Sequence, residues 1–446
     1  MNNSNIRITR SSRYAWFVVA LLTLAYGVSL LDRWIITLLV APIQTSLKVS
    51  DTQMGILMGW AFAIFYLGLG IPMGWLADRV NRRNLIAICI GLWCAMTAAC
   101  GLSRNFVQIF FARLGVGVGE AALTPAANSL ISDYFPREQQ STAISVFNMG
   151  VSMGMGVAYL CGGLVVGWAN RIAPTELPVA GVLEPWQVTF LVVGLPGLAL
   201  AALVRTIREP ARSGQVALDG DDAKPSLGGA LRYVTKRRVA YATLGLGMAT
   251  SPLIGYSWLW LPTVFERSFG LAPTDFAFAY GVILLVAGPS GAILAGKISE
   301  RLYRRGQPDA NYITARRSLW IMIVVSTAVP LAPTPVLGLM LLFPATMAGA
   351  ATTATGAAAA VFAAPGQYRA QITSFYVLTI SLIGLGVGPP LVGWLNDNVF
   401  SGDDGVRFSV ALVSGVVCSA LTALMFLGRQ AYRDVIIDLE QATNER

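Results

Sequence analysis

The sequence contains no histidine, and its few cysteines form no cluster. With no imidazole among 446 residues, the chain cannot build a histidine-dependent nucleophile or a histidine-ligated metal site. The five cysteines lie in apolar segments without CxxC spacing, which is typical of small buried side chains. We therefore expect no metal, no cofactor and no enzymatic activity. A receptor is also disfavoured, because the tail after Gln430 is only a short polar segment.

Charged side chains are scarce as well. They make up 12% of the chain, whereas a soluble domain carries about 25%. A membrane-spanning helix needs about 20 apolar residues to cross a hydrocarbon core of about 30 Å. Twelve such runs are present, at 14–40, 53–75, 84–103, 105–131, 141–165, 187–207, 239–265, 276–298, 315–334, 336–362, 371–395 and 406–430. We predict an all-α membrane protein with twelve transmembrane helices.

The net charge of +9 is explained by topology. If both termini lie on one side, and residues at span ends are counted with the adjoining loop, 25 of the 32 Lys and Arg residues face that side, five face the other and two lie deep within spans. This asymmetry follows the positive-inside rule and predicts cytoplasmic termini. It removes the reason to invoke a nucleic-acid partner. The first apolar run is too long for a cleaved signal, so we expect an integral protein of a bacterial inner membrane, surrounded by lipids and monomeric.

A polar stretch divides the spans into two sets of six. It contains "SGQVALDGDDAKPSLGG", whose small, acidic and Pro/Gly residues are typical of a solvated linker. The loops "GWLADRVNRR" and "GKISERLYRR" share the pattern G-x-x-x-[DE]-R-x-x-R-R, 222 residues apart, which indicates a duplicated unit. The predicted organisation is an N-tail (1–13), a first half (14–207), the linker (208–238), a second half (239–430) and a C-tail (431–446).

These motifs resemble a known family. "GWLADRVNRR" is similar to the signature loop of the major facilitator superfamily of secondary transporters. In the first half, "LLDRWII", "VSDTQMG", "RLGVGVGEAALTPAANSLISDYFP" and "GMGVAYLCGG" resemble spinster-like members. The last of these lacks the Gly-Pro pair of the superfamily's antiporter motif, which disfavours drug/proton exchange.

The resemblance implies a role for the repeated loops. In the superfamily, the matching residues latch the two halves in the outward-facing state. The residues that would form this latch are Gly74, Asp78, Arg79, Arg83, Glu300, Arg301 and Arg305. Charges that only determine topology are the alternative interpretation, and the two roles are compatible.

Four ionisable residues lie well inside predicted spans, away from the span ends: Asp32, Arg33, Arg113 and Glu120. Each costs about 2.5–3.5 kcal/mol on insertion scales, so such residues usually face a cavity or a partner. At 1.5 Å rise per residue, Asp32 and Arg113 both lie about 12 Å from the outer membrane face, and Glu120 lies about 10 Å deeper. We therefore expect Asp32 to pair with Arg113, which leaves Arg33 and Glu120 for other partners, water or substrate.

Without histidine, a proton-coupled transporter must use carboxylates whose charge depends on a nearby guanidinium. Asp32 and Glu120 are the candidate proton carriers, and the spinster-like resemblance implies proton coupling and substrate translocation at these matching positions. A permanent ion pair that only fixes the packing of spans one and four is the structural alternative.

The candidate substrate-binding residues combine cations and aromatic side chains. They are Arg33, Arg113, Tyr66, Tyr256, Trp258 and Tyr376. A cavity that is charged on one side and aromatic on the other suits an amphipathic organic anion, and the resemblance implies a lysolipid-like or sphingoid molecule. The alternatives are proton symport of a small aromatic or sugar acid and, less favoured because of the two arginines, multidrug efflux.

Overall fold

The computed structural model describes residues 13–77, 79–172, 174–177, 181–210, 227–365 and 368–444. The N-tail up to residue 12, Asp78 and linker residues 211–226 lie outside the described residues. The helices of the first half are α1 (Arg13–Trp34), α2 (Val40–Leu47), α3 (Asp51–Met58), α4 (Trp60–Ala77), α5 (Arg82–Gly101), α6 (Phe106–Glu120), α7 (Leu123–Tyr134), α8 (Arg137–Ala169) and α9 (Pro185–Val204).

The second half follows the linker. Its helices are α10 (Leu227–Lys236), α11 (Arg238–Met248), α12 (Thr250–Ser257), α13 (Leu261–Phe269), α14 (Pro273–Arg304), α15 (Ala310–Ala328), α16 (Pro335–Phe362), α17 (Arg369–Asn398), α18 (Gly405–Leu412) and α19 (Cys418–Asn444). Ten stretches of the described chain are long and apolar enough to cross a membrane. The seventh and ninth predicted spans correspond to the segmented helices α11–α13 and to α15, so the predicted twelve-helix architecture is confirmed.

Loops between spans lie at two ends of the helical bundle. We call the end that contains residues 79–83, 205–209 and 305–309 the basic end, and the end that contains residues 48–50, 102–105 and 399–404 the opposite end. Local capping sets several of these boundaries. Ser50 and Gln53 form a capping box that starts α3, and Asn81 accepts the amide hydrogen of Asn84 to start α5.

Spans one and four are broken near their centres. α1 ends at Trp34 and continues as a 3-10 turn, Ile35–Leu38, before α2 begins. Pro42 has no amide hydrogen to donate to Leu38, which favours this interruption. In span four, α6 ends at Glu120 and α7 begins at Leu123, two residues before Pro125. The charged residues inside the membrane therefore lie at helix breaks.

The two halves contact each other near the opposite end. A Cβ atom added to Gly55 of α3 would lie 2.5 Å from the carbonyl oxygen of Pro389 in α17. A Cβ added to Gly156 of α8 would lie 2.8 Å from the carbonyl oxygen of Gly281 in α14. Small residues allow backbones to approach this closely, so both contacts depend on glycine.

Three local elements were not predicted. Part of the linker forms helix α10. Helix α19 continues through the predicted C-tail as far as Asn444, and Tyr432, Val435 and Ile436 are buried against the second half. Two short strands, β1 (Thr175–Leu177) and β2 (Gly181–Leu183), pair antiparallel at the opposite end. The apolar-run count did not detect these elements because α10, the two strands and the part of α19 after residue 430 lie outside the apolar runs.

Candidate functional site

The centre of the first half contains a buried ion pair between spans one and four. The guanidinium of Arg33 donates to Glu120 Oε2 at 2.5 Å, and the two side chains are 11% and 2% exposed. The Arg33 guanidinium also lies 4.3 Å from the ring centroid of Phe62 and 4.6 Å from that of Tyr66. An arginine held against aromatic faces in this way keeps its charge at low desolvation cost. The Arg33 guanidinium therefore stays charged in the protein interior, with the carboxylate of Glu120 as its anionic partner.

Arg113 has a different partner. Its guanidinium donates to the backbone carbonyl oxygens of Asp32 at 3.1 Å and Arg33 at 3.4 Å. The last carbonyls of an α-helix lack intrahelical partners, and α1 ends one residue after Arg33. A cation at a helix C-terminus is also favourable for the helix dipole. Arg113 therefore stabilises the break in span one.

The expected side-chain pair between Asp32 and Arg113 is wrong. Asp32 is fully buried, and neither of its carboxylate oxygens has a hydrogen-bond partner among the described residues. The reason is side-chain direction, because helical side chains lean toward the N-terminus of their own helix. α1 begins at the basic end, so Arg33 reaches toward Glu120, which lies deeper. α6 begins at the opposite end, so Arg113 leans toward the open carbonyls of α1.

Two of the predicted aromatic residues lie at this site. Tyr66 faces the Arg33 guanidinium, and Tyr256 of the second half is an electrostatic neighbour of the same group. Tyr256 also stacks on Trp34, with ring centroids 6.4 Å apart and planes 10° apart. The second half therefore presents an aromatic face to the charged centre of the first.

The other two predicted aromatic residues lie elsewhere. Trp258 is buried and packs edge-on against Tyr280, within the core that joins the halves. Tyr376 belongs to a separate core cluster of the second half, which also contains Met248 and Tyr312. Sequence spacing identifies aromatic positions on a helix but does not show which of them face a neighbouring half.

A polar network at the opposite end joins the two halves. Arg267 of α13 donates to both carboxylate oxygens of Asp51 in α3, at 2.9 Å each, and to Gln44 at 2.6 Å. The side-chain amide of Asn396 in α17 also donates to Asp51. Among the ion pairs of the described residues, this is the one that connects the halves. It was missed because its members lie at span ends, where charges are unremarkable.

The same network includes an unusual helix cap. Asp397 of α17 accepts the backbone amide hydrogens of Asp51 at 3.2 Å and Thr52 at 2.8 Å, and the Thr52 hydroxyl at 2.5 Å. The N-terminus of α3 is therefore capped by a carboxylate from the other half. The conformation described here is closed at the opposite end.

We expect Arg267→Ala to shift the protein toward a conformation open at that end. The substitution removes the cation from a largely buried pair, which typically costs about 3–5 kcal/mol, while opening the end returns Asp51 to water. The equilibrium should move by about two to three orders of magnitude. Distances between spin labels on α2 and α17, measured by pulsed electron paramagnetic resonance, would show the change.

Arg237→Ala is the matched control. Arg237 pairs with Asp438 at 3.5 Å within the second half, and both side chains are substantially exposed. Such pairs contribute about 0–1 kcal/mol, so this variant should keep the parental distance distribution. Equal distributions for Arg267→Ala and the parent would contradict the proposed closure.

The residues predicted to form the latch are dispersed at the basic end. Asp78 lies outside the described residues. Arg79 is exposed and lies over the Trp75 ring at 3.8 Å. Arg83 donates to the carbonyl oxygen of Ile207 at 3.1 Å, within the first half. Gly74 is near Pro125 in span four. The latch role therefore stays a prediction for another conformation.

In the second repeat, the corresponding side chains are exposed. Glu300 pairs with Arg304, one helical turn away, at 2.5 Å. Arg301 and Arg305 lie on the surface of the same end. Their exposure agrees with the interpretation that these charges only determine membrane topology, which requires no more than positive charge at the basic end.

Arg82 is the buried arginine of the first loop, and it was not among the predicted latch residues. Its guanidinium donates to Glu209 at 2.8 Å, to the hydroxyl of Ser129 at 3.0 Å and to Asp133. Its side chain is 1% exposed. Arg82 therefore ties spans three, four and six together at the basic end. The repeated pattern includes this position, so the motif itself was the available signal.

Arg82→Met is expected to lower the free energy of unfolding by about 3 kcal/mol, because it removes the cation from a buried cluster of carboxylates. Thermal unfolding in detergent, followed by intrinsic fluorescence, would measure the loss. Arg79→Met in the same loop is the control and should have little effect, since Arg79 is exposed. Equal unfolding midpoints for the two variants would refute this assignment.

Two six-helix halves, with broken helices and a buried charged site near the centre of the first half, are typical of the class of secondary membrane transporters. The model of the Major Facilitator Superfamily matches residues 22–382. The chain belongs to this superfamily and is an integral membrane protein.

Among curated proteins, the chain is 26% identical to an "MFS-type efflux pump" of Mycolicibacterium smegmatis, over 96% of this chain and 95% of that protein. It is 23% identical to "Protein spinster" of Drosophila melanogaster, over 98% of this chain and 73% of that protein. It is also 23% identical to "Probable galactarate/D-glucarate transporter GudP" of Bacillus subtilis, over 66% of each chain.

A solved structure supports the same placement. A bacterial homolog of the human lysosomal transporter Spinster, in an inward-facing and unoccupied conformation, superimposes with a TM-score of 0.76 at 29% identity, covering 97% of this chain and 96% of that one. The predicted spinster-like resemblance is therefore confirmed.

Proposed function

We propose that the chain is a proton-coupled secondary active transporter that moves an amphipathic organic anion by alternating access. The observation that carries the proposal is the buried Arg33–Glu120 pair of the first half, whose guanidinium lies against the rings of Phe62 and Tyr66. If the basic end is cytoplasmic, as the positive-inside rule predicts, the closed opposite end faces the periplasm of a bacterial inner membrane, as it would in an inward-facing conformation.

The pair supplies a coupling mechanism. A proton on Glu120 removes the charge that holds Arg33, and an anion bound to Arg33 removes the cation that holds Glu120. Proton and anion therefore favour each other's binding, and the coupling is reciprocal. This argument supports transport of both in the same direction. Asp32, buried nearby with no hydrogen-bond partner for its carboxylate among the described residues, is the second proposed proton carrier.

The surroundings favour a substrate with one acidic group and an apolar body. Arg33 would bind the acidic group, while the faces of Tyr66 and Tyr256 would contact the remainder. The similarity to spinster proteins supports a lysolipid-like or sphingoid molecule. A small organic acid is the second candidate, supported by the similarity to the curated galactarate/D-glucarate transporter. Efflux of other compounds is the third, supported by the similarity to the efflux pump.

Uptake by reconstituted vesicles under an imposed pH gradient tests the proposal. Radiolabelled lysophospholipids, sphingoid phosphates and hexuronic or aldaric acids would be compared. We expect accumulation of an anion that requires the gradient and stops when an ionophore collapses it. If transport of every substrate is indifferent to pH, proton coupling is wrong, and a preference for the short acids would replace the amphipathic substrate class.

A further inference from the structure

A polar cradle on α5 faces the carboxyl group of Asp32. Its members are Trp93 and Thr97, which are 0% and 1% exposed and lie one helical turn apart. Both lie within reach of the Asp32 carboxyl group, but neither has the length and alignment of a formed hydrogen bond to it. In this conformation the indole N–H of Trp93 and the hydroxyl of Thr97 have no hydrogen-bond partner among the described residues.

These unsatisfied atoms are chemically complementary to Asp32. A buried donor or acceptor without a partner costs about 1–3 kcal/mol, so such groups are rare in native interiors. Here two donors and two carboxylate oxygens are unsatisfied at one place. A deprotonated carboxylate accepts hydrogen bonds from both donors. A protonated one must also donate its O–H, which the Thr97 hydroxyl can accept but the indole N–H of Trp93 cannot, because the indole is only a donor.

The cradle is held rigidly by close helix packing. A Cβ atom added to Gly119 of α6 would lie 2.8 Å from the backbone nitrogen of Trp93. A Cβ added to Gly194 of α9 would lie 2.7 Å from the carbonyl oxygen of Cys94. Spans four and six therefore clamp α5 from two sides near the cradle. Asp32, by contrast, lies two residues before the end of α1 at Trp34, where the helix breaks.

We propose that Trp93 and Thr97 are positioning residues that receive the Asp32 carboxylate when it loses its proton during the transport cycle. The proton leaves to water, and the two hydrogen bonds of the cradle replace it. This inference rests on the proposed function, since it assigns Asp32 a change of protonation. It adds the two side chains, Trp93 and Thr97, that would bind the deprotonated form.

Other charged and titratable groups also face Asp32. They are Glu120 and Arg113 from α6, and Cys94 and Cys100 from α5. Arg33 follows Asp32 on α1. These groups are unchanged in the cradle variants, so a comparison among those variants isolates the two neutral donors.

Infrared difference spectroscopy in lipid vesicles tests the cradle without a substrate. The carbonyl band of protonated carboxylic acids is followed over a range of pH, and the part that disappears in Asp32→Asn is assigned to Asp32. Thr97→Val removes one donor at nearly constant volume, and Trp93→Phe removes the other and leaves a smaller aromatic ring. We expect each to move the Asp32 midpoint to higher pH by about one unit, because the charged form loses a hydrogen bond.

Two further variants make the result specific. Thr97→Ser restores a hydroxyl and should return the midpoint to the parental value. Thr352→Val removes a buried hydroxyl of the second half, which donates to Ala348 of its own helix, and should have no effect. An Asp32 band that titrates identically in the parent, Thr97→Val and Trp93→Phe overturns the cradle. If Asp32→Asn removes no titrating band, Asp32 is no proton carrier, and that part of the proposed function fails with it.

Discussion

Glu120→Gln is expected to abolish proton-driven accumulation of substrate. Glutamine resembles a glutamate that is permanently protonated, so Arg33 loses its charged partner in every conformation. With one proton per anion, a gradient of about one pH unit supports accumulation of about tenfold. The variant should reach only equal concentrations on the two sides. Because Arg33 remains available, exchange of labelled for unlabelled substrate should persist.

The exchange assay separates loss of coupling from loss of folding. Glu440→Gln changes an exposed glutamate of α19 and should accumulate substrate like the parent. Arg33→Lys keeps the positive charge but loses the planar guanidinium that lies over Phe62 and Tyr66, so exchange itself should weaken. Parental accumulation by Glu120→Gln would rule out Glu120 as a proton carrier.

Gly393→Ala is expected to open the opposite end of the bundle. A Cβ at residue 393 would collide with the carbonyl oxygen of Asp51, which belongs to the other half. Inserting a methyl group into a packed contact costs about 1–3 kcal/mol. Since the two halves can separate here without unfolding, the cost should appear as a shift of tenfold to about a hundredfold toward the open conformation.

Spin-label distances across the opposite end would measure this shift in a background that lacks the exposed Cys161. Gly91→Ala is the control, because a Cβ at Gly91 of α5 would have no neighbour within 4 Å. Gly55→Ala, which affects the same contact from the first half, should reproduce the opening. A closed distribution for both Gly55→Ala and Gly393→Ala would show that the contact adapts and that the glycines do not control closure.

The twelve apolar runs and the charge asymmetry between loops were sufficient to predict the architecture. Crossing the hydrocarbon core requires a long apolar helix, and this requirement is local in the sequence. The helix breaks were harder to predict from the sequence. Pro42 and Pro125 indicate where hydrogen bonds are lost, but the lengths of the following segments depend on packing against other spans.

The four charged positions of the candidate site were also identifiable, because an ionisable residue in an apolar run is conspicuous. Their pairing was not. The depth calculation placed Asp32 level with Arg113 and omitted the direction in which each side chain leans, so it missed the pair of Arg33 with Glu120. It also could not anticipate that Arg113 would bind backbone carbonyls exposed by the break in α1.

The sequence by itself determined that this protein lies in a lipid bilayer, how many spans it has and where its buried charges lie along the chain. Hydrophobicity and charge are properties of individual residues, so these features can be read without the fold. Only the tertiary structure decided which charges meet, which aromatic faces cover them, and how Asp51, Arg267 and Asp397 close one end. Those choices depend on distances between spans that are far apart in the chain, and a few ångströms separate an ion pair from two isolated charges.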